Sequence, residues 1–317
     1  MNFTTDIDLP SLPKTGARII QLCSDPKCDL GQLVEAVRTD GALTAKFLKL
    51  ANAPFYGQHY EVATLRRAAV VLGLKQVKVV ALAFQLAKMS QQWTGLPIDL
   101  EVCWLGSLLR ACTARQLALA TPVANAKCPE EAFLVGLLQD FAVPMLAQEI
   151  GATYRDHVRA DGMATDEDTV RLETESVGSN HAHLAGAIFD RWRFPPVLTF
   201  AITNHHLPPQ SEPATDKAMG LWQLAYWVGA VPFREDGRSA AIAVTLRTLA
   251  SSAFGLDVDA LGIAFYRAIE DFERMSAVFD DMLPSDLDGS NLFAKAQALL
   301  AGIDEEENPD RLDGADA

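Results

Sequence analysis

The sequence has little that would take it across a membrane, into an oxidising compartment or onto nucleic acid. No apolar run approaches the roughly 18–20 residues that span a bilayer. The opening MNFTTDIDLP lacks the basic start and apolar stretch of a secretion signal, so a cytoplasmic location is expected. There are five cysteines, an odd number with no CxxC pair, and reduced thiols follow. The short-range Cys and His clustering of a zinc site is missing. Positive charge is also scarce. The 317 residues carry a net charge of −14, which disfavours a general affinity for nucleic acid or anionic lipid. Only part of this comes from DEEENPDRLDGADA (304–317), with seven acids and one arginine. There is no GxSxG, P-loop or GxGxxG, and Ser107 has no context that would activate it.

Period-two alternation is almost absent, whereas the 3.6-residue period recurs throughout, which predicts an all-α protein. Pro10 and Pro13 open a first helix over about 12–24, with Ile19, Ile20 and Cys23 inward. Asp29 reads as the N-cap of the next, and ALTAKFLKLANA (42–53) carries a stripe of Leu43, Phe47 and Leu50 before PFYG breaks it. Thr64 starts LRRAAVVLG, Gly73 stops it, and KQVKVVALAFQLAKM follows. Further helices are expected at about 100–120, 130–150, 180–193 and 196–206. SQQWTGLPIDL (90–100) and the proline-rich LPPQSEPATDK (207–217) are the internal boundaries. A C-terminal helical region over 218–303 follows, with Trp222, Tyr226 and Trp227 as its core contact, and the acidic tail 304–317 is expected to be disordered. The helices meeting at Gly73-Leu74 could suggest a helix-turn-helix. After Lys75, Gln76 and Lys78 the second turns wholly apolar, so a buried helical hairpin is the better reading.

A few titratable groups stand on otherwise apolar faces. Asp140, in FLVGLLQDFAVPM (133–145), lies three after Leu137 and seven after Phe133. His181 lies four before Ala185, His205 four after Ala201, and His206 four after Ile202. Carboxylate and imidazole from facing helices could bind zinc, iron or manganese, or could be buried groups satisfied by hydrogen bonds. Adjacent helical side chains diverge by about 100°, so at most one of His205 and His206 should face a given centre. His59, His157 and His183 read as surface or supporting residues, and Glu173 and Glu175, in a charged segment, read as solvated.

The stretch LPSLPKTGARIIQLCSDPKCDLGQLVEAVRTDGALTAKFLKLANAPFYG (9–57) resembles the start of HDOD domains, bacterial signalling modules related to the HD metal phosphohydrolases. TLRRAAVVLGL, GLLQDFAVPML, NHAHLAGAIFDRWRFPP and AITNHH continue the resemblance in order to about residue 206. It implies an N-terminal helical subdomain (9–90) packed on an HD-like helical bundle (100–206), with additional C-terminal helices. It also implies a ligand set that this sequence carries incompletely. The early histidine would fall near VCWLGSLLR (102–110), where Gly106 or a neighbour stands. The histidine of the His-Asp doublet is Gln139, the basic residue that often follows is Val143, and the late aspartate would fall at Ala225 or Tyr226. Asp140, His181, His205 and His206 remain, as candidates for a vestigial metal site. No catalytic residue and no cofactor are therefore expected.

The leading expectation is a non-catalytic signalling or scaffold protein acting in trans on signalling partners, with cyclic di-GMP or two-component systems as the setting. Asn52, Phe55, Tyr56 and Tyr60 would form its contact surface. One alternative is a residual metal-dependent phosphohydrolase. Another is a nucleotide or RNA binder using the vestigial cleft, with Arg66, Arg67, Lys75 and Lys78 as a modest basic cluster.

Overall fold

The computed structural model describes residues 14–25, 27–53, 56–58, 60–90, 93–157, 167–209, 211–230 and 239–276, together with 278, 279 and 283. Phe55, His59, the two prolines expected to open the first helix and the acidic tail lie outside the described residues. No strand occurs among the residues described.

Three short helices, α1 (Lys14–Ser24), α2 (Leu30–Arg38) and α3 (Gly41–Ala51), pack on the long α4 (Leu65–Ser90). Asp29 caps α2 through a reciprocal capping box with Gln32. Asp40 caps α3, and its second oxygen accepts from Gln85 Nε2 at 3.0 Å, which ties α3 to α4. As expected, α4 is broken at Gly73, whose φ of 78° and ψ of 158° suit glycine alone. Beyond the break nearly every residue from Gln76 to Ser90 is buried, so this segment is a core helix with no face left for a DNA groove.

The central layer is built on α5 (Leu100–Ala120), which packs most closely against α6 (Pro129–Leu138). Gly136 makes this possible. A Cβ there would stand 2.8 Å from the carbonyl oxygen of Arg110 and 2.9 Å from the backbone of Ala111. Gly136→Ala is expected to cost about 1–3 kcal/mol in urea unfolding, because the clash is with backbone rather than a flexible side chain.

The single helix expected over 130–150 is two helices. A turn over Gln139–Ala142 separates α6 from α7 (Val143–Ile150). Pro144 accounts for the break: its ring opposes a continuous helix through the carbonyl four residues back, that of Asp140. Asp140 thus sits in a turn rather than on a helix face. The short α8 (Ala152–His157) leads to α9 (Glu167–Val177) and α10 (His181–Arg191). Next, α11 (Pro196–Thr203) ends earlier than expected, so His205 and His206 occupy the turn beyond it.

The C-terminal region contributes α12 (Lys217–Ala230), α13 (Ser239–Phe254) and α14 (Val258–Ser276). It packs into the rest of the molecule: α12 against α6 and α11, and α14 along α5. Of its aromatic trio, Trp227 is fully buried and Trp222 and Tyr226 are partly so.

Among the described residues two stretches are, against expectation, long and apolar enough to cross a membrane by composition, Leu65–Ser90 and Pro129–Ile150. Their windows are 67% and 78% buried within the protein, which gives their apolar character a packing role. All five cysteines are free thiols.

A buried carboxylate and histidine cluster

Asp140, His181, His205 and His206 converge: one potential donor atom from each lies within 4.8 Å of all the others. They come from the turn after α6, the first residue of α10 and the turn after α11. The expectation that only one of the adjacent histidines faces the centre is corrected. It assumed helical spacing, and these residues lie past the helix end. Gln139 is fully buried beside them, its amide nitrogen 2.9 Å from where a Cβ of Gly229 would stand. Neither end of that amide has a hydrogen-bond partner.

Two residues complete the cluster that the sequence reading did not assign to it. Arg110, on α5, places Nη1 2.7 Å from Oδ2 of Asp140, with both side chains buried. Glu173, read as solvated, is fully buried. Its carboxylate accepts from the Tyr154 hydroxyl at 2.6 Å, from the His181 backbone N–H at 2.9 Å and from His181 Nδ1 at 2.7 Å. The reversal that returns the chain to Glu173 is set by Gly178 (φ 76°) and by Asn180, which caps α10 by accepting from the backbone N–H of His183.

These contacts fix the proton positions. A carboxylate and a carbonyl oxygen only accept, so His181 carries a proton on Nδ1 toward Glu173. His205 likewise carries one on Nδ1 toward the Ile202 carbonyl, 2.7 Å away. His181 and His206 approach through Nε2 atoms 2.7 Å apart, so one of these holds a proton and the other accepts it.

Burial alone would raise the Asp140 pKa, but Arg110 and then the two nearby histidines outweigh it and hold the carboxyl well below its usual range. Burial alone would lower His181, but Glu173 and then Asp140 outweigh it and raise its pKa. His205 and His206 are pushed down, chiefly by burial. Asp140 is thus held as a carboxylate, His181 favours imidazolium, and His205 and His206 favour the neutral ring. A narrow cleft lined by Trp93, Cys103, Ser107 and Phe141 reaches Arg110 and Asp140.

The donors fit one divalent ion. Oδ1 of Asp140 and Nε2 of His205 stand 3.4 Å apart, both without a hydrogen-bond partner. His181 and His205 are oriented by outer partners in the way metal-binding histidines usually are. Asp140, His181, His205 and His206 would hold the ion only once the proton shared by the Nε2 atoms of His181 and His206 had left, and the ion would supply Lewis-acid polarisation. On four-coordinate zinc all four donors would be spent, which is the closed arrangement of a structural ion. Gln139 offers no charge for a second one.

The expected contact surface divides. Tyr60 is 88% exposed. Asn52 is a staple: its amide donates to the carbonyls of Leu48 and Val62 and accepts from the Val62 N–H, pinning the loop that follows α3. Tyr56 packs partly into the core. The basic cluster also divides, since Lys78 turns toward the Cys23 carbonyl of α1.

The HDOD domain family matches residues 9–208, close to two thirds of the chain, and the chain belongs to that family. Several solved structures share the fold. A candidate signal transduction protein from Marinobacter aquaeolei VT8 has a TM-score of 0.62 at 22% identity over 95% of this chain. The chain spans 62% of that protein's length. A candidate phosphohydrolase from Shewanella amazonensis SB2B has a TM-score of 0.61 at 23% identity, covering 91% of this chain and 96% of the other. An HDOD domain protein of unknown function from Geobacter sulfurreducens has a TM-score of 0.58 at 20% identity, covering 96% of each. No curated protein matches the chain in sequence.

Proposed function

We propose that the chain is a non-catalytic, cytoplasmic signal-transduction protein that acts in trans through protein contacts, in a cyclic di-GMP or two-component setting. The observation that carries this reading is the buried pair of Arg110 and Asp140. In a metal hydrolase the carboxylate serves an ion that activates water at an open position. Here a fixed guanidinium already balances it, Gln139 stands where the family resemblance would put a histidine, and the remaining donors would close around a single four-coordinate ion. The candidate signal transduction protein of Marinobacter, of like fold, is consistent with this.

The convergence of four donors favours one second reading, a residual metal phosphohydrolase. One experiment separates the two. Protein purified without chelator is assayed for metal by mass spectrometry, then for hydrolysis of bis(p-nitrophenyl) phosphate and cyclic di-GMP with added Mn2+, Fe2+ or Zn2+. No turnover above the protein-free blank is expected, whatever the metal content. Turnover that His181→Ala and Asp140→Ala abolish would establish the enzyme and sink the scaffold reading.

A further inference from the structure

The two oxygens of Asp140 face different neighbours. Oδ2 meets Nη1 of Arg110 at 2.7 Å. Oδ1 stands 3.4 Å from Nε2 of His205 and 3.5 Å from Nε2 of His181, and no hydrogen bond satisfies it. The oxygen open to a divalent ion is therefore bonded to the same carbon as the oxygen that holds a guanidinium.

That juxtaposition has two opposite consequences for metal affinity. A carboxylate that binds metal is usually held in place by an outer hydrogen bond, and Arg110 supplies one. Arg110 also brings a full positive charge, which a neutral donor would not. Its side chain is 3% exposed and that of Asp140 is 9%, so water does little to screen the charge. Repulsion between this cation and a dication grows with the product of their charges and with the low dielectric of the interior. The orienting benefit stays that of one charge-assisted hydrogen bond. The guanidinium, unlike imidazole or an amine, does not lose its proton within proteins, so the repulsion persists whatever the pH.

The neighbouring acids do not absorb the extra charge. Asp140 is the one carboxylate among the four donors. Glu173 lies behind His181, where it accepts from Nδ1 of that ring and from the Tyr154 hydroxyl. Even with both acids counted as carboxylates, together they offset one dication and leave nothing for Arg110. Gln139, buried at the doublet position, adds no charge.

We infer that Arg110 is the built-in counter-cation of this cluster and holds its metal affinity low, so that guanidinium and divalent ion are alternatives at Asp140. The inference rests on the non-catalytic reading and gives it a cause. The two can fail separately, since one is read from metal affinity and the other from turnover.

The test is calorimetric titration of the full chain with Zn2+ after treatment with chelator, for the wild type, Arg110→Gln and Arg110→Lys. Arg110→Gln removes the charge and keeps a hydrogen-bond donor, whereas Arg110→Lys keeps the charge. Arg110→Gln should bind one Zn2+ at least about tenfold more tightly than the wild type, the low end of the range over which groups outside the ligand shell tune metal affinity. Arg110→Lys should stay near the wild type. Adding His181→Ala to Arg110→Gln should abolish the gain, which assigns it to the cluster and not to the five free thiols. If Arg110→Gln does not unfold cooperatively in chelator, added Zn2+ should restore a cooperative transition. Affinity unchanged or weaker in Arg110→Gln would make Arg110 a supporting partner of a metal-bound carboxylate and overturn the inference. An equal gain in Arg110→Lys, a gain that survives His181→Ala, or an unfolded variant that Zn2+ does not rescue would overturn it as well.

Discussion

Arg110→Met should destabilise the protein by about 3–5 kcal/mol in urea unfolding, because it leaves the buried Asp140 carboxylate without its guanidinium partner. Removing both charges is expected to cost far less, so the double variant Arg110→Met with Asp140→Leu should recover most of the loss. A double-mutant cycle then reports the coupling directly. The pH dependence follows from Asp140. Its pKa is depressed in the folded protein, so its contribution is present above the unfolded carboxylate value and is lost only as pH falls through the depressed one. In Arg110→Met the same carboxyl lacks its cation and takes up a proton readily. The gap between variant and wild type should therefore shrink as the solution is acidified. A gap that stays constant with pH would mean that the cost lies in lost packing and not in charge.

Glu173→Gln should be nearly as damaging, at about 3 kcal/mol, since one buried carboxylate serves Tyr154 and His181 together. Here the sign is opposite. The His181 pKa is raised in the folded protein, so its contribution is complete below the unfolded histidine value and fades as pH rises through the folded one. The deficit of Glu173→Gln should be widest in acid and narrow toward alkaline pH. The ring resonances of His181, followed by NMR, should titrate at lower pH in the variant. An unmoved titration would show that Glu173 acts on His181 only by packing.

How far the sequence discloses this arrangement depends on local contrast. Asp140 is legible because it interrupts FLVGLLQDFAVPM, and the break at Gly73 is legible because it parts two helical patterns. Arg110 offers the same contrast within GSLLRAC, and a search for any charge in an apolar helix, rather than for histidines alone, would have found it. Glu173 gives no such signal. It lies in RLETES, where it resembles any solvated acid, and it reaches His181 only because the chain reverses at Gly178. Reading the histidine pair by helical angles failed for a simpler reason: α11 ends at Thr203, and beyond a helix end the 100° rule no longer applies.

Gly136 gives the cluster a dependence that no inventory of its chemistry would contain. The atom its absent methyl leaves room for is the carbonyl oxygen of Arg110, and Asp140 follows four residues later. The spacing between guanidinium and carboxylate is thus dictated by how near two backbones can lie. In a saturation screen scored on the charge-dependent traits above, position 136 should behave like a member of the cluster, intolerant of every replacement, although it contributes no functional group of its own.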